Sequence, residues 1–486
     1  MNRMIRLATV MKNALMRLPA ACDKYKSMPD IFDMSVESTV REIYDSHSFV
    51  YKEYLKTTNK SVNAELKTIV EGYDDKLSPA LQYDVNKIGN QTRRLDVNII
   101  YYRTGDRFIS TMVQARFCKE LLSLDMTTRT FDLATGQRLY LTDLFDEYSI
   151  AWRLIEDRVR EYMELVYPGE KRDEAAIEAL CARKKLELAD FTLSGMELTL
   201  HYNAKAIFED KTNLIHIRFY YPQLCGMMTQ IGIEATDNRR WKMVAITCDD
   251  GPKDSSTYVL DAFRKIGARV TYFIVGKQLP TFSNVFVKEF DQNHTFGSHT
   301  YNHCRDYTTI TPKCRIQEID MTAELTLSLV GVKAEFFRPP CGKYSPWVES
   351  IISMPIIRWS LDTFDYTGNS AQSIFYSIRK HVKEYDIILC HDTSDHLHEA
   401  IPLIAKYFES HGYMMVTLEE LSAAQGMIPE ANVVYWSFRP GENSNDRSAI
   451  DRNKSKIKIL IKGVIRVLGL QNIYLYLRNK KDIYYE

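Results

Sequence analysis

Val244-Ala245-Ile246-Thr247-Cys248-Asp249-Asp250-Gly251-Pro252 decides how this chain is read. A short apolar run that ends in two carboxylates and Gly-Pro is a buried strand opening into a functional turn. Val270 to Val275 and Ile387 to Cys390 are apolar runs of the same kind, and strand and helix patterns alternate from there to about Gly426. This alternation predicts α/β architecture: parallel strands joined by crossover helices, with the chemistry at strand C-terminal ends. A barrel is the economical closure, and an open sheet is the alternative.

Four further segments follow in order: His299-Thr300-Tyr301-Asn302-His303, Arg338-Pro339-Pro340-Cys341-Gly342, Asp362-Thr363-Phe364-Asp365-Tyr366 and Leu389-Cys390-His391-Asp392. On a helix, His299 and His303 would share one face with Cβ atoms about 5–6 Å apart. With Asp250 they make three ligands for a divalent metal and leave a position open for water. If Asp249 and Asp250 continue the strand they point to opposite sides, one to the metal and the other to substrate. Their repulsion then needs the cation on one side and Arg338 on the other. His391, after an apolar strand, becomes a general acid if Asp365 or Asp362 holds its second ring nitrogen. Tyr366 and Leu389 would line a small apolar pocket suited to a methyl group, and Cys341, after two prolines, would present its amide to an oxyanion. Each segment alone has a plainer reading, as a turn, two surface histidines or a structural histidine. The ordered set outweighs these.

Upstream, the text is strand-rich. Leu95–Tyr102 and Phe108–Phe117 read as a hairpin, as does Phe131 to Leu141 around Thr135-Gly136. Thr142-Asp143 is expected to cap a helix running to about Leu165. Phe191 to Tyr202, turning at Ser194-Gly195, and Leu214 to Tyr221 return to strands, so an α+β domain with a mostly antiparallel sheet is expected. The expected divisions are 1–34, an N-terminal segment; 35–236, the α+β domain; 237–428, the catalytic domain; and 429–486, a basic extension. From Arg452 to Lys481 there are nine basic residues and no acidic one. An amphipathic helix there would meet membrane or anionic wall polymer peripherally, or dock on the barrel with its basic face solvated.

Bulk properties narrow the classes. Lys plus Arg equals Asp plus Glu at 63 each, which gives no bias toward nucleic acid. Nine cysteines without a CxxC pair argue against a disulfide framework. No apolar run approaches the ~18 residues of a membrane span, and Lys12, Asn13 and Arg17 interrupt any signal core.

The five segments resemble the polysaccharide deacetylase family, also called the NodB homology domain or carbohydrate esterase family 4, over about residues 240–428. The resemblance implies a distorted (β/α) barrel and a divalent metal: zinc first, with cobalt, nickel, manganese or iron as alternatives. It implies hydrolysis of N-acetyl groups on amino-sugar polymers, or of O-acetyl groups on xylan, by an enzyme of the cell envelope or exterior. Carried over, Asp249 is the base, oriented by Arg338. Asp250, His299 and His303 are the metal ligands, and His391 is the acid, paired with Asp365. Three positions depart from the family: Cys248 and Cys341 stand where aromatics are usual, and Tyr366 where tryptophan is. Phe131-Asp132-Leu133 through Thr142-Asp143-Leu144-Phe145, with Ile217-Arg218-Phe219-Tyr220, are similar to the region preceding the catalytic domain in some Gram-positive peptidoglycan deacetylases. That likeness tilts the expected substrate to peptidoglycan, ahead of chitin-like oligosaccharide. The rival readings are an O-acetyl esterase on xylan or exopolysaccharide and a glycan-binding protein with a degenerate site.

Overall fold

Side-chain alternation with period two builds the first sheet. Its strands are β1 (Ser35–Ile43), β2 (Ser48–Lys56), β3 (Arg93–Thr104), β4 (Phe108–Cys118), β5 (Leu122–Asp132) and β6 (Arg138–Leu139), paired in that order. All pairs are antiparallel except β2–β3. Leu95, Val97, Ile99 and Tyr101 of β3 share one core with Val62, Leu66, Val70 and Tyr73 of the helix Lys60–Gln82. That spacing is one face of a helix laid on one face of a sheet. Ile100 and Tyr102 alternate to the opposite face. The computed structural model describes residues 33–43, 48–82, 93–118, 122–304, 311–343 and 352–439. Most of the N-terminal segment and the whole Arg452–Lys481 stretch lie outside them.

The helix expected from a cap at Thr142-Asp143 is instead two helices, Leu141–Leu144 and Ala151–Leu165. Asp143 Oδ2 accepts the Tyr140 backbone N–H at 2.7 Å and so caps the start of the first helix, which ends after one turn where Phe145 turns extended, φ −133°, and the Leu144 carbonyl accepts the Thr229 N–H at 2.9 Å. The second helix buries Trp152, Ile155, Val159 and Met163 against β7 (Phe191–Leu193), β8 (Glu197–Asn203) and β9 (Leu214–Tyr220), an antiparallel sheet.

The second half is a parallel sheet. Its strands are β10 (Lys242–Asp249), β11 (Thr271–Ile274), β12 (Thr295–Ser298), β13 (Ile356–Ile357), β14 (Leu361–Asp362), β15 (Ile387–His391), β16 (Tyr413–Met415) and β17 (Val434–Tyr435). Pairing runs β12–β11–β10–β15–β14, with β16 beside the start of β10 and β17 beside β13. Single parallel bridges through Phe337 link Ser298 to Ile356. Both faces of β10 are buried. Val244, Ile246 and Cys248 meet the crossover helices, whereas Met243 and Ala245 face the opposite core with Phe273, Ile357 and Leu421. The whole is mixed α/β. Because the strands are parallel, their C-terminal ends gather Asp249, Ser298 and His391 on one edge, where open parallel sheets place ligands.

Buried polar contacts join the two halves. Arg116 Nη2 lies 2.5 Å from Asp291 Oδ2, whose other oxygen accepts the Leu214 N–H at 2.7 Å. Arg269 Nη1 lies between Glu197 at 3.0 Å and Glu420 at 3.3 Å, and Arg264 pairs with Glu53. Arg116→Ala should leave the buried Asp291 without its cation, costing about 3–5 kcal/mol of unfolding free energy. Denaturant titration checks this; a loss below about 1 kcal/mol would contradict it.

Candidate active site

Asp249 is the last residue of β10 and is paired in register with Phe273 and His391. It is buried, with Oδ1 accepting from Arg338 Nη1 at 2.7 Å. Arg338 is also buried; its Nη1 reaches the Thr247 hydroxyl at 2.8 Å, while Nε and Nη2 donate to the carbonyls of Ile357 and Arg358 at 3.2 and 3.1 Å. Burial pulls this guanidinium below its usual pKa, against the pull of Asp249. An arginine keeps its proton regardless.

Asp250 does not continue the strand. Its φ of 80° is left-handed, so a backbone kink, rather than strand alternation, parts the two carboxylates. Its Oδ1 lies 3.0 Å from His303 Nε2 and 3.6 Å from His299 Nε2. Burial works to raise its pKa, but the His303 contact and the charges of the surrounding histidines prevail and hold the carboxyl well below the usual range.

The two histidines do not share a helix. His299 follows β12 directly, and the loop from it to His303 carries left-handed residues at Thr300, φ 67°, and His303, φ 55°. The loop is pinned by the Gly276 N–H to the Thr300 carbonyl, 3.0 Å, and by the Lys277 N–H to the Tyr301 carbonyl, 2.9 Å. The loop brings the two ring centroids to 5.0 Å from each other.

His299 Nδ1 lies 2.8 Å from the Arg338 carbonyl. A carbonyl only accepts, so Nδ1 carries the hydrogen and Nε2 keeps its lone pair. Burial lowers the pKa of His299 and favours this neutral form. The candidate ligand atoms of Asp250, His299 and His303 lie within 4.8 Å of one another, and the buried Asp250 Oδ1 receives no hydrogen bond. One carboxylate oxygen and two imidazole lone pairs, one of them oriented by a backbone carbonyl, suit a divalent cation such as zinc.

His391 ends β15. Of the two candidate partners it is Asp365 that holds it: Oδ1 lies 2.8 Å from Nδ1, and Oδ2 accepts the His391 backbone N–H at 2.7 Å. Burial lowers the His391 pKa, but the Asp365 hydrogen bond and charge outweigh it, with Asp249 and Asp250 adding, and raise it to about 9. Asp362 instead accepts the Phe364 N–H at 2.9 Å. Tyr366 is 54% exposed, its ring edge-on to His391 at 5.2 Å. Cys341 is exposed with φ 54°, and Leu389 is buried. Of the departures from the family, Cys248 faces the helix-side core beside its register partner Cys390, away from the rim.

Three features escaped the residue-by-residue reading. Thr247 steadies Arg338, and its place two residues before Asp249, on the same strand face, was the available signal. The Arg338 carbonyl anchors His299, which no sequence pattern announces. Asp392 is wholly buried under the Asp250-Gly251 turn; burial pushes its carboxyl up to about 7, and a Cβ on Gly251 would come 2.0 Å from its Oδ2.

Residues 236–353 match the model of the polysaccharide deacetylase family. A bifunctional xylanase/deacetylase of Pseudobutyrivibrio xylanivorans is 28% identical over 205 residues, 42% of this chain and 34% of that protein. A peptidoglycan-N-acetylglucosamine deacetylase of Bacillus cereus is 30% identical over 187 residues, 37% of this chain and 67% of that protein. A solved family 4 acetyl xylan esterase from Clostridium thermocellum, in complex with a cobalt ion, is 26% identical with a TM-score of 0.39, covering 40% of this chain and 98% of that one. The chain thus spans about a third of the length of the xylanase/deacetylase relative.

In the metal-free chain His391 should titrate near 9, and Asp365→Asn should lower that value, because the imidazolium loses the carboxylate that favours it. NMR titration of the histidine ring reads this; an unmoved pKa in the variant would remove Asp365 as the cause.

Proposed function

This chain belongs to the polysaccharide deacetylase family, and we propose that it removes acetyl groups from cell-wall amino-sugar polymer, peptidoglycan or a chitin-like oligosaccharide, with the help of a divalent cation. The distorted barrel is proposed as the closure of its parallel sheet, supported by the bridges through Phe337. One observation carries the functional reading. A carboxylate locked to a buried arginine, a three-residue ligand set and a carboxylate-held histidine meet on a single sheet edge.

Asp250, His299 and His303 would hold the cation, with zinc the first choice. Such a cation, when bound, supplies Lewis-acid polarisation of the acyl carbonyl and lowers the pKa of water. Asp249 keeps Oδ1 on Arg338 and has Oδ2 to take the proton of the attacking water. As the carbon–nitrogen bond breaks, His391 delivers its proton from Nε2 to the leaving amine, and acetate departs. Asp365 keeps that proton in place near neutral pH. The Cys341 amide is proposed to donate to the oxyanion, with Tyr366 and Leu389 shaping the acetyl end of the groove.

The xylanase/deacetylase relative supports a second reading, an O-acetyl esterase on xylan. A substrate panel separates the two: acetate from N-acetylglucosamine oligomers or peptidoglycan supports the first, and acetate from acetylated xylan alone supports the second. In either case Asp249→Asn should lower turnover about 10²–10⁴-fold, the range of a general base, while zinc affinity stays within a few-fold. Turnover close to wild type would remove Asp249 as the base.

A further inference from the structure

A cavity of about 160 Å³ opens in the N-terminal half, lined by Thr127–Thr130, Arg138–Leu141 and Glu187–Phe191. It exceeds many times over the roughly 10–15 Å³ that admits one water. Arg138, half-buried on β6, lays its guanidinium over the Tyr140 ring at 4.3 Å from the centroid. Its ion pairing is unlike that of its neighbours. Arg129 has Glu65 at 3.2 Å and Arg183 has Glu187 at 2.7 Å, whereas Arg138 has no carboxylate within ion-pair distance among the described residues. Burial, and then the like charge of Arg129, lower its pKa, and Tyr140, Glu65 and Asp190 offset this only in part.

A half-buried guanidinium that makes no ion pair within the described residues keeps its donors open to acceptors from outside the chain. The cavity is nonetheless not simply cationic. Asp190 lines it too, with Oδ1 occupied by the Thr128 N–H and hydroxyl at 2.8 Å each. Tyr140 is 39% and Leu188 74% exposed at its rim. A planar arginine fork, a carboxylate and an exposed aromatic around one small cavity are complementary to a sugar ring, which offers vicinal oxygens, hydroxyl donors and an apolar face. We infer that this cavity is a second carbohydrate site, taking one sugar residue of the polymer that the catalytic centre acts on. The inference rests on that substrate reading and places a polymer-holding function in the N-terminal half.

The test is calorimetric titration of the zinc-loaded full chain carrying Asp249→Asn, with an N-acetylglucosamine tetramer, together with co-sedimentation on insoluble chitin. Two binding events are expected. Adding Arg138→Ala should remove one of them and weaken sedimentation about tenfold, the worth of one charge-assisted hydrogen bond. Tyr140→Ala gives the same readout should Arg138→Ala not fold, as judged by its thermal transition. A single event untouched by either change overturns the inference. So does loss of inorganic polyphosphate binding in Arg138→Ala with tetramer binding intact, which would make this an anion site. Two events in a chain whose wild-type form releases no acetate would fail the catalytic reading and leave this one standing. Acetate release with one event would do the reverse.

Discussion

Arg338 is the group on which the rest of this site depends. Its guanidinium ties the end of β10 to the end of β13 through Thr247, Asp249, Ile357 and Arg358. Its backbone N–H binds the Ser298 carbonyl at 2.9 Å, and its own carbonyl orients His299. The proposed base and a proposed metal ligand are therefore set by one residue. A buried charge whose three nitrogens all donate is expensive to create and rigid once made. Phe273 lies 4.0 Å beneath the guanidinium carbon and closes it from water.

The second half of the chemistry hangs from the neighbouring strand. His391 and Asp249 are register partners, so the proposed acid and base are one strand spacing apart by construction. Asp365 grips His391 by ring and backbone together, from a turn that begins at Phe364 in the left-handed region, φ 57°. The same two strands thus set the separation of the groups.

Much of this was legible in the sequence because parallel strands buried on both faces leave a continuous apolar signature, ending where chemistry begins. Val244 to Asp250 and Ile387 to Asp392 show it plainly. The hairpin at Gly105 was equally legible from alternation and turn residues. The illegible parts were set by contacts distant in sequence. The His299–His303 loop takes its shape from the turn after β11, so four-residue spacing suggested a helix that is not there. At the break between Leu144 and Ala151 the Leu144 carbonyl accepts the Thr229 N–H at 2.9 Å in place of a further helical turn. Arg116 on β4 and Arg269 just before β11 would pass for solvated positions, yet they bind the two halves together from within.

Acetate release from N-acetylglucosamine oligomers by chelator-treated protein, before and after one equivalent of zinc, measures the central claim most directly. The geometry of Asp250, His299 and His303 predicts no release without metal and recovery at one equivalent, with no recovery in Asp250→Ala. Release that survives chelation, or recovery in Asp250→Ala equal to wild type, would contradict the account.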